Sequence, residues 1–312
     1  MTPRVGATAK FPLTLISKRM AVWAFVFTTV AFSLVATMNG RGWNLKRVET
    51  ESEKSPRNNA GPSNNEAAAT LAKSPGALKL SSEKRKRFRA SAAMHTALIS
   101  QQAVGAVVGE LKKQIALPFD IQVVFEECGV ADAHYDNNTH EITICYELIE
   151  GYFYLFSRKL KARTARNEAA KSATVSIFLH EFGHALIDAW DLPITGREED
   201  AADQFATLWL LNGIDDGEEM ALASARSFKL LADLEKGEKK DYSDPHSLDE
   251  QRFYNTICLV YGHRPEQYEY LIRNGTLPAE RAFDCEEDYA RVNKSWHTLL
   301  APHLAYSNYQ ER

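Results

Sequence analysis

The sequence predicts an α+β fold, a small β-sheet followed mostly by helices. Two Ile/Val-rich segments, "FDIQVVFEEC" (119–128) and "HEITICYEL" (140–148), read as strands and follow a single helical segment. Everything after them carries helical periodicity, broken by short polar turns. Apolar residues make up 45% of the 312 and charged residues 25%, an ordinary globular balance, and the net charge of −4 gives no overall call for nucleic acid or anionic lipid.

The N-terminal part is different. Lys18 and Arg19 precede the run "MAVWAFVFTTVAFSLVATMNG", in which residues 21–38 carry no charge. That length reaches the lower limit for crossing a bilayer. With Arg4, Lys10, Lys18 and Arg19 ahead of it, residues 1–20 are expected to stay cytoplasmic. Residues 21–40 read as a signal anchor or as a cleaved signal peptide, with a buried core helix as the third possibility. The expectation is a membrane-anchored chain with its catalytic domain outside the cytosol, periplasmic or extracellular, and secreted if the segment is removed. Residues 41–93, rich in Ser, Asn, Pro, Ala and charge, contain too few large apolar side chains to offset the entropy of ordering and read as a disordered tether. Within it "EKRKRFR" (83–89) reads as a solvated basic patch. Residues 94–312 form the globular domain, long enough for one core.

Each element of that domain has a local reason. Leu98, Val104, Val107, Val108 and Leu111 recur at helical spacing, and Pro118 closes that helix. "GVADAHYDNNTHEITI" reads as a hairpin turning near Asp136–Asn138, with His134 and His140 as turn residues. Residues 149–171 read as one helix with a basic face, 171–190 as a second, 198–211 as a third and 215–234 as a fourth. A polar loop, "EKGEKKDYSDPHS", then leads to further helix. Four cysteines without a C-x-x-C pair argue against a zinc knuckle and, beyond a membrane segment, favour disulfides. Local pairing, Cys128–Cys145 and Cys258–Cys285, is the preferred connectivity, and free buried thiols are the alternative.

The chemistry concentrates in "FLHEFGHALIDAWDLPITGREEDAADQFA" (178–206). His180 and His184 are four apart, so on a helix both project from one face and can reach one zinc ion. Glu181 is turned too far round the helix to join them and is placed to act as a general base. Pro193 and Gly196 punctuate a turn that lets the next helix fold back. Glu199 can then supply a third ligand, and Asp203, one turn later, can accept a hydrogen bond from the far nitrogen of a ligand histidine. Gly183, Ala202 and Ala206 would keep the two helices close. Asp188 shares the His184 face, as a partner or an alternative ligand. Glu198 and Asp200 border the site. Downstream, "DPHSLDEQRFYN" offers His246, Arg252 and Tyr254 as donors to an oxyanion or a leaving group, with Asp249 as a possible orienter of His246. The competing reading of the same stretch is a helix start, Ser247 capping and Glu250 completing the box.

H-E-F-G-H followed by E-D-A-A-D resembles the gluzincin metallopeptidases, including the thermolysin and CAAX-prenyl-protease groups, with a shorter gap before the third ligand than in thermolysin. "HEFGHALIDAWDLPITGREEDAADQFA", "HSLDEQRFYNTICLVYG" and "LPAERAFDCEEDYARVNKSWHTLLAPH" more closely resemble a bacterial metallopeptidase family without an assigned substrate. The likeness covers about residues 97–303. It implies a zincin-like fold and a zinc cofactor, with His180, His184 and Glu199 at the ligand positions, Glu181 as base, Asp203 behind the ligands, and a peptide or protein as substrate. By analogy with zincins, "HEITICYEL" is the candidate edge strand for pairing with an extended substrate. The alternatives are a zinc-bearing, non-catalytic envelope module and a hydrolase of non-peptide amides.

Overall fold

The computed structural model describes residues 76–82 and 93–305 in full, and the backbone of Leu34–Asn39 and Gly42–Arg47. The chain divides into two units, Met1–Ala68 and Ala69–Arg312. In the first, β1 (Leu34–Asn39) and β2 (Gly42–Arg47) pair antiparallel. The end of the predicted membrane segment thus lies in a strand. The rest of that segment, the cytoplasmic residues 1–20, most of the tether and the basic patch lie outside the described residues. Among the described residues no helix is long and apolar enough to cross a membrane.

The second unit is α+β. Its sheet has the order β3 (Leu78–Ser82), β4 (Ile121–Glu126), β6 (Glu141–Cys145), β5 (Ala133–Asp136). The first three run parallel, and β5 returns antiparallel to β6 as the expected hairpin. Two expectations are corrected here. The domain begins before residue 94, because Leu78–Ser82 pairs with β4 inside the segment read as tether. This strand buries mainly Leu78, so composition hides it. The strand at 141–145 is internal, and β5 is the edge.

Ten helices among the described residues follow or flank the sheet. They are α1 (Met94–Gln114), α2 (Tyr146–Ser157), α3 (Arg163–Trp190), α4 (Glu198–Gly213), α5 (Gly217–Leu234), α6 (Asp249–His263), the short α7 (Pro265–Tyr268), α8 (Tyr270–Arg273) and α9 (Ala279–Ala282), and α10 (Cys285–Leu300). The helix expected over 149–171 breaks at 158–162, and its second half is continuous with α3. No proline or glycine marks the break. The Ser157 hydroxyl donates to the Tyr154 carbonyl, and Leu160 packs against the core as the chain turns. At the other end α3 stops where Asp191 adopts φ 48°, the Leu192 N–H returns to the Ile187 carbonyl, and Pro193 prevents continuation.

α3 is the axis of the domain and touches α1, α2, α4, α5 and the β5–β6 hairpin. Phe178, Leu179, Phe182 and Leu186 are fully buried, each worth about 1.5–3 kcal/mol. The H-E-x-x-H turn therefore sits on a helix anchored by buried side chains. Gly183 sets the approach of α4: a Cβ there would lie 3.2 Å from Ala202 Cα and 3.3 Å from a Phe205 ring carbon.

The structure joins Cys128 to Cys145 and Cys258 to Cys285. The first bond brackets the edge hairpin, and the second ties α6 to the start of α10. At that second contact Gly262 has no room for a side chain, since a Cβ would lie 2.1 Å from the Cys285 carbonyl oxygen. Gly262→Ala is expected to cost about 1–3 kcal/mol through the backbone shift it forces. The midpoint of urea unfolding measures it, and an unchanged midpoint would contradict this packing.

Candidate metal centre

His180 and His184 project together from α3, and Glu199 reaches them from the first turn of α4. The two Nε2 atoms are 3.2 Å apart, and Glu199 Oε2 lies 3.1 Å from the first and 3.3 Å from the second. Among the described residues this is the one His/Cys/Asp/Glu group whose ligand atoms converge closely enough to hold a metal ion.

The outer nitrogens decide what those atoms can do. His180 Nδ1 is 2.8 Å from Asp203 Oδ1, and His184 Nδ1 is 2.7 Å from Glu198 Oε1. An ionised carboxylate only accepts, so both Nδ1 atoms carry protons and donate. In a neutral ring each Nε2 is then a bare lone pair. With both rings neutral, two lone pairs and a carboxylate oxygen converge, an arrangement that a metal cation satisfies; without one, protons on the rings satisfy it, donated to Glu199. The donor set thus fits a divalent ion of the kind bound by imidazole and carboxylate. The same crowding favours a proton. Burial works against a charged His180, but its bonds to Asp203 and Glu199 outweigh burial and raise its pKa to about 9. A metal ion would compete with that proton and release it on binding.

Asp203 is held ionised from behind. Burial opposes its charge, yet the Arg252 guanidinium keeps its pKa well below the carboxylate range. Arg252 Nε and Nη2 donate to the two carboxylate oxygens at 2.7 and 2.8 Å, and the guanidinium lies 4.1 Å from the centre of the Phe228 ring. Arg252 thus stands behind the histidine and does not face the cleft, unlike the donor role its sequence position suggested. Glu199 is likewise lowered: burial opposes, and hydrogen bonds from His180, His184 and His246 prevail.

Glu181 is 6% exposed, lines the cleft and has no hydrogen-bond partner among the described residues. Burial raises its pKa. His246 arrives from the loop between α5 and α6. Its Nε2 is 2.9 Å from Glu199 Oε2, its ring stacks on His180 at 6.0 Å, and its Nδ1 meets Asp244 Oδ1 at 3.1 Å. Asp244, two residues upstream, is the orienting carboxylate in place of Asp249. Asp249 lies in the first turn of α6, with burial pushing its pKa up to about 6. The helix start is also shifted: Ser247 donates to Asp200 at 2.6 Å, and Gln251 rather than Glu250 accepts from the Leu248 N–H. Asp188 stands outside the donor group and accepts from the Tyr135 hydroxyl at 2.8 Å, while His140 Nδ1 is 3.1 Å from that hydroxyl. His134 is no turn residue; it sits on β5, at the cleft wall.

The cleft in front of these groups has a volume of about 1000 Å³. One wall is β5 and the other the loop carrying Tyr242 to His246. Sequence reading did not find the carboxylate on His184, the guanidinium under Asp203 or Asp244. Only Glu198 and Asp244 have local signals, since each lies within a few residues of a recognised site residue.

Two predictions test the assembly. Glu199→Ala is expected to abolish stoichiometric zinc binding in competition with a chelator; undiminished affinity would move the third ligand elsewhere. Asp203→Ala and Arg252→Met are expected to weaken zinc binding by about ten- to a hundredfold, because both leave His180 unoriented. Full affinity in either would detach the network from the centre.

Comparison with protein families gives one match, over residues 84–300, to the family described as "DUF4344: Putative metallopeptidase". Neither the curated proteins nor the solved structures contain a match. The matched segment spans most of the chain and contains α3, α4, the donor set and the loop with His246; the chain belongs to this metallopeptidase family.

Proposed function

We propose that this chain is a zinc-dependent peptidase working outside the cytosol, with His180, His184 and Glu199 holding the zinc ion. One observation carries the reading: three potential ligand atoms converge beside a buried carboxylate, Glu181, that has no hydrogen-bond partner among the described residues and opens onto a large cleft. When bound, zinc supplies Lewis acidity toward a carbonyl and toward water. The protein's own groups supply the proton traffic. Glu181 takes a proton from the attacking water and returns it to the leaving amine nitrogen, and burial suits it to do both by raising its affinity for the proton. His246, steered by Asp244, is positioned to donate to the oxygen on which negative charge develops. The free edge of β5 runs along the cleft, which supports an extended peptide as the bound form.

Three donors with a cleft before them match catalytic zinc sites, which keep a position open, better than structural sites, which close with a fourth protein ligand. That weighs against a non-catalytic zinc module. Two formed disulfides support an oxidising compartment. We read residues 21–38 as the anchor that holds the domain at the membrane, or as a leader whose cleavage releases it.

Glu181→Gln is expected to keep one zinc per chain and lose nearly all peptide hydrolysis, measured on a fluorogenic peptide mixture. Retained turnover would remove Glu181 from the mechanism. His246→Ala is expected to keep zinc and lower kcat by about a hundred- to a thousandfold. An unchanged kcat would leave the oxyanion donor to another group.

A further inference from the structure

The net charge of −4 conceals a division. Residues 94–312 carry 36 acidic and 21 basic side chains, whereas residues 1–93 carry 5 acidic and 16 basic. The acidic excess reaches the cleft. Asp132, Asp188, Asp191, Glu198 and Asp244 line it together with Glu181 and Glu199, and Arg197 is the one lysine or arginine among the described lining residues. Arg197 is itself engaged, donating to the His246 carbonyl at 3.1 Å.

None of the five is paired with a lysine or arginine among the described residues. Four of the five have a histidine within ion-pair distance: Asp132 with His134, Asp188 with His140, Glu198 with His184, and Asp244 with His246. Asp188 additionally accepts from the neutral Tyr135 hydroxyl. Seven carboxylates against one arginine and, on the peptidase reading, one zinc ion leave an excess of negative charge that focuses negative potential on whatever enters. At the mouth Tyr242 is 79% exposed, an aromatic face beside Asp244 that suits a cation. Deeper in, Glu181 is buried in the lining, without a hydrogen-bond partner among the described residues and without a lysine or arginine paired to it.

We infer that the cleft selects cationic peptide segments, with lysine or arginine side chains near the scissile bond. This rests on the peptidase reading and adds its substrate class. Asp132 and Asp191 are the specificity-determining residues to test, since neither touches the donor set, Glu181 or His246.

The experiment uses the full chain in nonionic detergent, zinc-loaded and carrying Glu181→Gln so that peptide is not consumed. Three fluorescent dodecapeptides share one apolar framework and differ in carrying lysine, serine or glutamate at the same positions. At low salt the lysine peptide is expected to bind at least about tenfold more tightly than the serine peptide and the glutamate peptide more weakly than either. The preference is expected to shrink in about 0.5 M salt and on adding Asp132→Asn and Asp191→Asn, two exposed changes whose folding is checked by thermal melting. Equal affinities, no binding of any peptide, or a preference untouched by both salt and the two substitutions would overturn the inference. Hydrolysis by the unsubstituted chain is read separately. Cleavage without charge preference sinks this inference and spares the peptidase reading; charge-selective binding without any cleavage does the reverse.

Discussion

A largely enclosed carboxylate rarely stays ionised without a cation against it, and Asp203 has one. Arg252 grips both of its oxygens and is itself braced on the Phe228 ring. Because Asp203 remains an acceptor, His180 must present its Nδ1 proton to it, and the opposite nitrogen is the one turned to Glu199, where a metal ion would find its lone pair. Glu198 does the same for His184 from a more exposed position. The orientation of two ligand atoms thus depends on charges lying behind them, away from the chemistry. Breaking such a partly buried pair from one side leaves the other charge uncompensated and is destabilising.

The fold serves this arrangement by keeping two helices very close. Gly183 and Ala202 let α4 approach α3 within the reach of one carboxylate, so that Glu199 and Asp203, four residues apart, address the inner and outer sides of His180. The large apolar residues of α3 face the core on its remaining sides. Position and charge are therefore fixed by different neighbours, the first by packing and the second by hydrogen bonds.

What the sequence disclosed follows the range of each interaction. H-E-x-x-H and E-x-x-x-D are local periodicities on helices, and a helix converts spacing into a shared face. The paired cysteines bracket short segments, and the structure joins them in that local pattern. Arg252 was visible as a residue but not in its role, because its partner lies 49 residues away and nothing in the chain between them encodes the meeting. Tyr135 and Asp188, 53 residues apart, are the same case. β3 escaped notice because five residues with one well-buried side chain leave almost no pattern, and its place in the sheet comes from backbone pairing with β4. The break at 158–162 lacks the residues that usually announce one.

The Cys128–Cys145 bond gives the cleft two unlike jaws. On one side the edge hairpin hangs between covalently joined ends, so β5 cannot drift from the sheet without distorting a cross-linked loop. On the other side the stretch with Tyr242 and His246 is held by single hydrogen bonds such as Arg197 to the His246 carbonyl and Ser247 to Asp200. Bulk entering the cleft is therefore accommodated by the second jaw, while the first keeps its distance from the histidines. Without that bond β5 would be tethered by its ladder to β6, and the two jaws would differ less in how they are held.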